Sequence, residues 1–427
     1  MSQTNYISNL LNIKDPNIIF NENIEDVVIK KRTCKVINAT LSYIPDNCPK
    51  CSKKLNDRTA YEKKGFKSSL IKVPTIFKMT TYIKLRKQRI TCKHCNSSFT
   101  CSTPLINPNC FISNITKLSI VEDLTKKFSE KDIAINNNVS PNTVQRIIDS
   151  YYKPLKLHKN YLPEALSFDE FKSVKSADGA MSFQICNAKN GKIIDIVEDR
   201  RLDNLIKYFN YYTHKARSRV KYIVIDMYTP YVTLITKMFP NAKIVIDNFH
   251  LIQLVSKSMN KTRIKVMNSN KKYYNKLKRY WKLILKSENE LNIDRYNRYT
   301  CFNELITQAT VVERITNVTE EMKETYNIYQ DILASIKNKN YNELMKILKN
   351  TKESISDYMK TSIKTLINYL PHIKHTFSTT YTNGYIEGNN NFIKALKRIA
   401  FGFRSFRRFK ARILICKGLI NPTKKEA

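Results

Sequence analysis

Between Glu164 and Asp247 the sequence runs through a fixed succession of patterns. Three apolar stretches, EALSFDEFKS, GAMSFQICNA and GKIIDIVED, are followed by a helical one, RRLDNLIKYFNYYTH. Then come KYIVID, a helix opening at Pro230, and NAKIVID. Runs of four to eight residues rich in Ile, Val and Phe read as strands, and the longer 3.6-periodic segments read as helices. Three strands, a helix, a strand, a helix and a strand leave few ways to build one sheet: the first three antiparallel, the later ones parallel.

That is the order of a ribonuclease-H-like sheet. A doubly wound nucleotide-binding fold is the alternative, but no Gly-rich phosphate loop follows any of these strands. In the first arrangement the first strand lies beside the fourth. Asp169 and Asp226 then face each other across one strand spacing, roughly 4.8 Å, and are able to share a metal. Asp247 ends the fifth strand in the same way but one strand further out, roughly 10 Å from the first, so Asp226 ranks above it. Glu170 alternates to the other face and reads as structural.

From Asn241 to Leu370 there is neither Gly nor Pro, and the apolar residues keep helical spacing. This is read as an all-helical block inserted into the sheet domain, its Trp281 and tyrosines belonging to the core. Beyond it, Glu387 is the only carboxylate between Tyr358 and Lys425, on a helix continuing through Asn390 and Lys394. Around it lie Lys394, Lys397, Arg398, Arg404, Arg407, Arg408 and Arg412. As a surface ion pair such an acid contributes about 0–1 kcal/mol. As the third carboxylate of a divalent-cation site it has a reason to stand among charges suited to a polyanion.

The N-terminal third carries CPKC and TCKHC, placing Cys48 with Cys51 and Cys92 with Cys95. Two such knuckles provide four thiolates for a closed tetrahedral zinc site, with the β-rich IKVPTIFKMTTYIKLRKQRIT between them. His94 reads as a solvent-facing spacer; Cys34, Cys101 and Cys110 have no partner at ligand spacing. Residues 113–154 are helical by period, and SEKDIAINNNVSPNTVQRIIDSYY has the form of a helix-turn-helix, with Ser140 as cap and Pro141 in the first turn. Its second helix would show Asn142, Thr143, Gln145 and Arg146 to a DNA groove.

Composition agrees on the partner. Lys and Arg number 74 against 36 Asp and Glu, a formal net charge of +38 that points to nucleic acid. The opening MSQTNYISNLLNIKDPNIIF has no signal-peptide pattern, and no run of 18 apolar residues occurs, so a soluble cytoplasmic protein is expected, nucleoid-associated when bound to DNA. In that compartment ten cysteines are metal ligands or buried side chains rather than a disulfide framework.

Taken together, CPKC…CKHC, the helix-turn-helix, SFDEF, VIDMYTPY, FPNAKIVIDNFH and YIEGNNNFIKALKRIAFGFRSFRRF resemble the bacterial ISL-three family of insertion-sequence transposases, of the DDE superfamily. The resemblance implies a catalytic triad of Asp169, Asp226 and Glu387 holding two Mg²⁺ (or Mn²⁺) ions. It implies accessory roles for Asp247 and His250, the histidine facing a phosphate or a metal-bound water or else simply packed at the sheet edge. Its implied activity is cleavage and joining of DNA strands at terminal inverted repeats and target DNA, by a homo-oligomer without membrane association. The ribbon and helix-turn-helix would recognise the repeats, while Lys394, Lys397, Arg398, Arg404, Arg407 and Arg408 grip phosphates. A regulator with an inert nuclease-like domain, and a junction-resolving or repair nuclease of the same fold, are the alternatives.

The fold expected is thus multidomain α/β. A zinc ribbon (1–110) and helix-turn-helix (111–160) precede a ribonuclease-H-like mixed sheet (161–248), an all-helical insertion (249–380), and a returning helix with a basic C-terminal segment (381–427).

Overall fold

The computed structural model describes residues 4–151 and 158–420. Residues 152–154 of the expected helical stretch and 421–427 of the basic C-terminal segment lie outside the described residues. The chain divides into two compact units, Met1–Leu155 with Val174–Ser176 and Ile393–Ala427, and Lys156–Ser173 with Ala177–Phe392.

The first unit opens with helix α1 (Thr4–Leu10) and a sheet of β1 (Ile18–Ile29), β2 (Arg32–Leu41), β3 (Tyr61–Lys72), β4 (Thr81–Cys92) and β5 (Ser98–Thr100). The strand order is β1-β2-β4-β3, with β5 on β4. Alternation decides the faces: Ile83 and Leu85 of β4 are buried against Phe20, Ile37, Leu41 and Ile71, whereas Lys84 and Arg86 between and beyond them are exposed. The β3–β4 register slips between Lys63 and Phe66, where Gly65 takes φ +65° and its carbonyl accepts Gln88 Nε2 at 2.8 Å.

Three helices follow, α2 (Asn114–Thr125), α3 (Glu130–Asn136) and α4 (Pro141–Tyr151). Each begins at a serine. Ser113 and Ser129 cap α2 and α3, the latter in a reciprocal box with Asp132, and Ser140 Oγ accepts the Thr143 N–H at 3.3 Å. The sequence marks these three starts; it does not mark what fills the space between the helices. That is the C-terminal helix, Phe406–Cys416, whose Ala411 and Ile415 join Ile120, Leu124, Ile133, Val144 and Ile148 in one apolar cluster. Arg412, 2% exposed, donates to the carbonyls of Lys126 and Phe128 at 3.0 and 2.8 Å. The basic segment is therefore part of the helical module's core as well as its surface.

In the second unit, β6 (Ala165–Lys172), β7 (Met181–Asn187) and β8 (Ile193–Val197) are antiparallel neighbours. Helices α5 (Leu202–Phe209) and α6 (His214–Ser218) lead to β9 (Tyr222–Ile225), and α7 (Thr229–Met238) leads to β10 (Lys243–Ile246). The sheet order is β10-β9-β6-β7-β8, with β6, β9 and β10 parallel. Phe168, Phe183, Phe209, Tyr231 and Phe239 form an aromatic centre with several ring contacts at 5.0–6.4 Å.

The long Gly- and Pro-free stretch becomes α8 (Asn248–Ser269), α9 (Tyr274–Arg279), α10 (Trp281–Ile284), α11 (Gln308–Thr316), α12 (Glu320–Lys337), α13 (Tyr341–Lys349) and most of α14 (Asp357–Phe377), which continues through Pro371. A two-residue ladder of β11 (Asn297–Arg298) with β12 (Leu305–Ile306) interrupts the helices. Trp281 is 39% exposed, while Tyr280, Tyr326, Tyr329 and Tyr369 are buried in the same apolar core as the sheet. Thr376 of α14 closes the outer edge of β10: its Oγ accepts the Ile246 N–H at 2.8 Å and donates to the Ile246 carbonyl at 3.0 Å. The chain then enters α15 (Gly384–Ile399), which carries Glu387. Among the described residues no helix is long and apolar enough to cross a membrane.

Candidate metal-binding active site

The four cysteines come together as their spacing requires. Cys48 and Cys51 lie in the connection from β2 to β3, Cys92 ends β4, and Cys95 lies in the turn to β5. Each knuckle is closed by a residue in the left-handed region, Ser52 at φ 59° and Asn96 at φ 53°. Cys48 and Cys95 sulfurs are 3.8 Å apart, as are those of Cys51 and Cys92, and all four lie within 4.8 Å of one another. A tetrahedron with Zn–S of about 2.3 Å has an S–S edge of about 3.8 Å, so the sulfurs fit a structural zinc ion. The backbone N–H of Cys51 holds the Cys48 thiol below its ordinary pKa, and Ser97, by hydroxyl and backbone N–H, brings Cys95 down to about 6. His94 is exposed and outside the cluster. Cys101 is buried and donates to the Tyr43 carbonyl.

The second centre is built by register. Ser167 of β6 pairs Val224 of β9, and Ile225 of β9 pairs Ile246 of β10. Counting two residues on from the first pair and one from the second sets Asp169, Asp226 and Asp247 in a row at the same end of three parallel strands. Asp169, Asp226 and His250 line one cavity of about 270 Å³, together with Glu170, Tyr231, Gln253 and Lys257. His250, in the first turn of α8, puts Nε2 2.8 Å from Asp226 Oδ1.

Strand spacing alone sets Asp247 apart; the side chains do not. Among the described residues it is Asp247 and His250 whose ligand atoms share a 4.8 Å cluster with Glu387, rather than Asp169 and Asp226. The reason is the return of the chain. Asn383, just before α15, gives its backbone N–H to Asp247 Oδ1 at 3.3 Å and its side-chain amide to Asp226 Oδ1 at 3.2 Å. One turn past Glu387, Asn390 Nδ2 donates to Asp169 Oδ2 at 2.6 Å. Two asparagines in a run of polar residues thus hold the three aspartates, and nothing in their residue type announces it.

The electrostatics are those of crowded acids. Burial, and then the Asp226 carboxylate, push Asp169 up to about 7; burial also raises Asp247. The hydrogen bond to Asp226 raises His250. Asn383 Oδ1 and Asn390 Oδ1 are buried without a hydrogen-bond partner. Two carboxylates raised chiefly by burial, beside orphaned amide oxygens, fit hard divalent cations that take oxygen ligands. Glu170 lines the same cavity, but its oxygens are taken by Arg200 and by the Tyr231 hydroxyl at 2.7 Å, in keeping with a structural role.

The sequence-predicted DNA-facing residues divide. Asn142 and Arg146 of α4 are exposed, as are Lys394, Arg398, Arg404 and Arg407, with Lys397 partly so. Thr143 is buried. Gln145 donates to Glu130 at 2.8 Å and accepts from Arg408 at 2.7 Å, and Arg408 also makes an ion pair with Asp149.

One unit of the chain carries a four-cysteine cluster and the other a mixed sheet with carboxylates gathered at one end, and comparison with known proteins assigns both to a transposase class. Residues 166–413 match the ISL3-type DDE transposase family, and residues 44–95 match the zinc finger of transposases IS204, IS1001, IS1096 and IS1165. The first match takes in more than half of the sequence: the chain belongs to the ISL3 family of transposases. A Lactococcus lactis subsp. lactis protein described as an ATP-dependent protease is 37% identical over 113 residues, 26% of this chain and 36% of that protein. The chain thus spans about a third of the length of that curated relative.

Proposed function

We propose that the chain is an insertion-sequence transposase that cuts and joins DNA strands at its element's terminal inverted repeats, on a ribonuclease-H-like domain. The observation that carries this reading is the in-register row of Asp169, Asp226 and Asp247, closed by Glu387 from α15, inside a family match to DDE transposases. Asp169, Asp226 and Glu387 would hold divalent cations, Mg²⁺ or Mn²⁺, with Asp247 and His250, whose ligand atoms cluster with that of Glu387, as accessory groups. When bound, such ions offset the charge that develops on the attacking and leaving oxygens at phosphorus.

The chain's own residues prepare that site. Asn390 and Asn383 fix the Asp169 and Asp226 carboxylates, and His250 donates to the same Asp226 oxygen, Oδ1, that Asn383 reaches. Lys257, lining the cavity, is placed to meet a phosphate oxygen. Water attacks phosphorus in line and frees a 3′-hydroxyl at the element's end, and that hydroxyl then attacks a target phosphorus in line and frees the target strand's 3′-hydroxyl. No covalent protein–DNA intermediate is required, and no side chain supplies the nucleophile. The helix-turn-helix of α3 and α4 reads the repeat through Asn142 and Arg146, and Lys394, Lys397, Arg398, Arg404 and Arg407 take phosphates. Thr143, Gln145 and Arg408 support that module from within. Strand joining at two ends calls for a homo-oligomer on DNA.

The test is to incubate the protein and Mg²⁺ or Mn²⁺ with DNA carrying the ends that flank its own gene. Cleavage and joining are expected from the parent and lost in Asp169→Asn, Asp226→Asn and Glu387→Gln, each of which still binds DNA. If Asp247→Asn alone abolished cleavage while Asp226→Asn kept it, the triad would be Asp169, Asp247 and Glu387. If the parent bound the ends but neither cut nor joined them, the inert regulator would replace the enzyme.

A further inference from the structure

The connection between β3 and β4 ends in a two-residue turn that breaks the composition rule for its own geometry. Ile76 and Met79 pair across it, with N–H to carbonyl bonds of 3.1 and 2.9 Å in the two directions. The residues between them, Phe77 and Lys78, have φ of 47° and 64°. Two consecutive left-handed residues are the mark of a type I′ turn, which favours Asn-Gly and strains any larger pair. Here the pair is Phe-Lys, and the Phe77 ring is 88% exposed. Water disfavours that ring and the backbone disfavours its position, so neither folding nor solubility selects it.

The turn is also fastened to the helix-turn-helix. Thr75 donates to the Asn136 carbonyl twice, from its N–H at 3.1 Å and its hydroxyl at 2.7 Å. On the other arm, Asn138 Nδ2 donates to the Thr81 carbonyl at 3.2 Å. One arm of the hairpin is thereby clamped to the last residue of α3 and the other to the short turn that leads into α4. The exposed Asn142 and Arg146 lie in the first two turns of that helix.

We propose that the 76–79 turn is a wing that enters the minor groove of duplex DNA beside the site faced by α4. Phe77 serves there as an apolar wedge at a base step, and Lys78 meets a phosphate. Rigid coupling to α4, a cation next to the ring and a chain carrying net +38 commit the surface to DNA. The inference rests on the DNA-binding part of the proposed function and adds a contact that the helix-turn-helix does not supply.

The experiment replaces the tip by the pair its geometry favours, Phe77→Asn with Lys78→Gly, in the full chain. The double variant is expected to melt no lower than the parent, since strain is removed, yet to bind terminal-repeat duplex about tenfold more weakly by fluorescence anisotropy. Phe77→Ala alone is expected to reduce the DNA bend, read by energy transfer between the duplex ends, with an unchanged salt dependence. Lys78→Gln alone should lower the slope of log affinity against log salt by about 1. A double variant that binds and bends like the parent overturns the wing. A parent that binds and bends the duplex without cutting it leaves the wing standing and removes the enzyme; a parent that binds no duplex removes both.

Discussion

Thr376→Val tests how the edge of the sheet that carries Asp169, Asp226 and Asp247 is held. The substitution keeps the side chain's size and one methyl but removes the hydroxyl that both accepts from Ile246 N–H and donates to its carbonyl. Thr376 is 3% exposed, so water cannot take the hydroxyl's place without opening the helix from the sheet. A buried donor left unpaired costs about 1–3 kcal/mol. For a unit of this size each kcal/mol moves the melting temperature by about 2–4 °C, giving a fall of about 2–12 °C. Thr376→Ser keeps the hydroxyl and gives up the methyl, so it separates hydrogen bonding from packing. Calorimetry on both variants, with amide exchange at Ile246, is the assay: the valine variant should melt lower than the serine variant and exchange Ile246 faster. Because Ile246 immediately precedes Asp247, the valine variant should also bind Mn²⁺ more weakly. A valine variant as stable as the parent, with a serine variant below it, would show the contact to be packing and refute the argument.

Three further outcomes follow from the described contacts. Freshly purified, reduced protein should hold one zinc per chain by elemental analysis, and Cys92→Ser should release it and unfold the ribbon; metal-free protein with an intact ribbon would refute the site. Neutralising the exposed Arg404 should flatten the salt dependence of DNA binding without lowering the melting temperature, whereas Arg408→Ala, which breaks the pair with Asp149, should lower the melting temperature; the opposite pattern would exchange their roles. Burial, and then the Asp226 carboxylate, give Asp169 the higher pKa when folded, about 7 against 3.8, so its proton favours the folded state, and this share of stability is lost as pH rises through that interval; in chelator the melting temperature should fall toward neutral pH, less so in Asp169→Asn, and identical profiles would refute the raised pKa.

What the sequence discloses and what it withholds have a common physical origin. The cysteine pairs were legible because two residues between thiols fix a local geometry, and the sheet order was legible because apolar period separates strand from helix. Asp169 and Asp226 followed from that order, since residues in register on neighbouring parallel strands must lie side by side. Glu387 drew attention by its isolation among cations. Its company did not, because Asp247 and Glu387 are brought together only by α15 returning to the end of β10. The same holds for Gln145 and Arg408, polar residues that suit a DNA-facing surface and also hydrogen-bond to each other across 263 positions. Arg412 shows the limit most plainly. In FRRFKARILIC its charge reads as one more contact for a phosphate, yet it is buried, and the carbonyls it reaches belong to the segment between α2 and α3. A side chain's polarity tells that it needs a partner; whether water, the chain itself or DNA meets that need is decided by tertiary packing. The basic C-terminal helix does two things by this rule: its inward arginine closes the helical module, and that closure is what makes the outward Arg407 a fixed position on a surface rather than a charge on a tail.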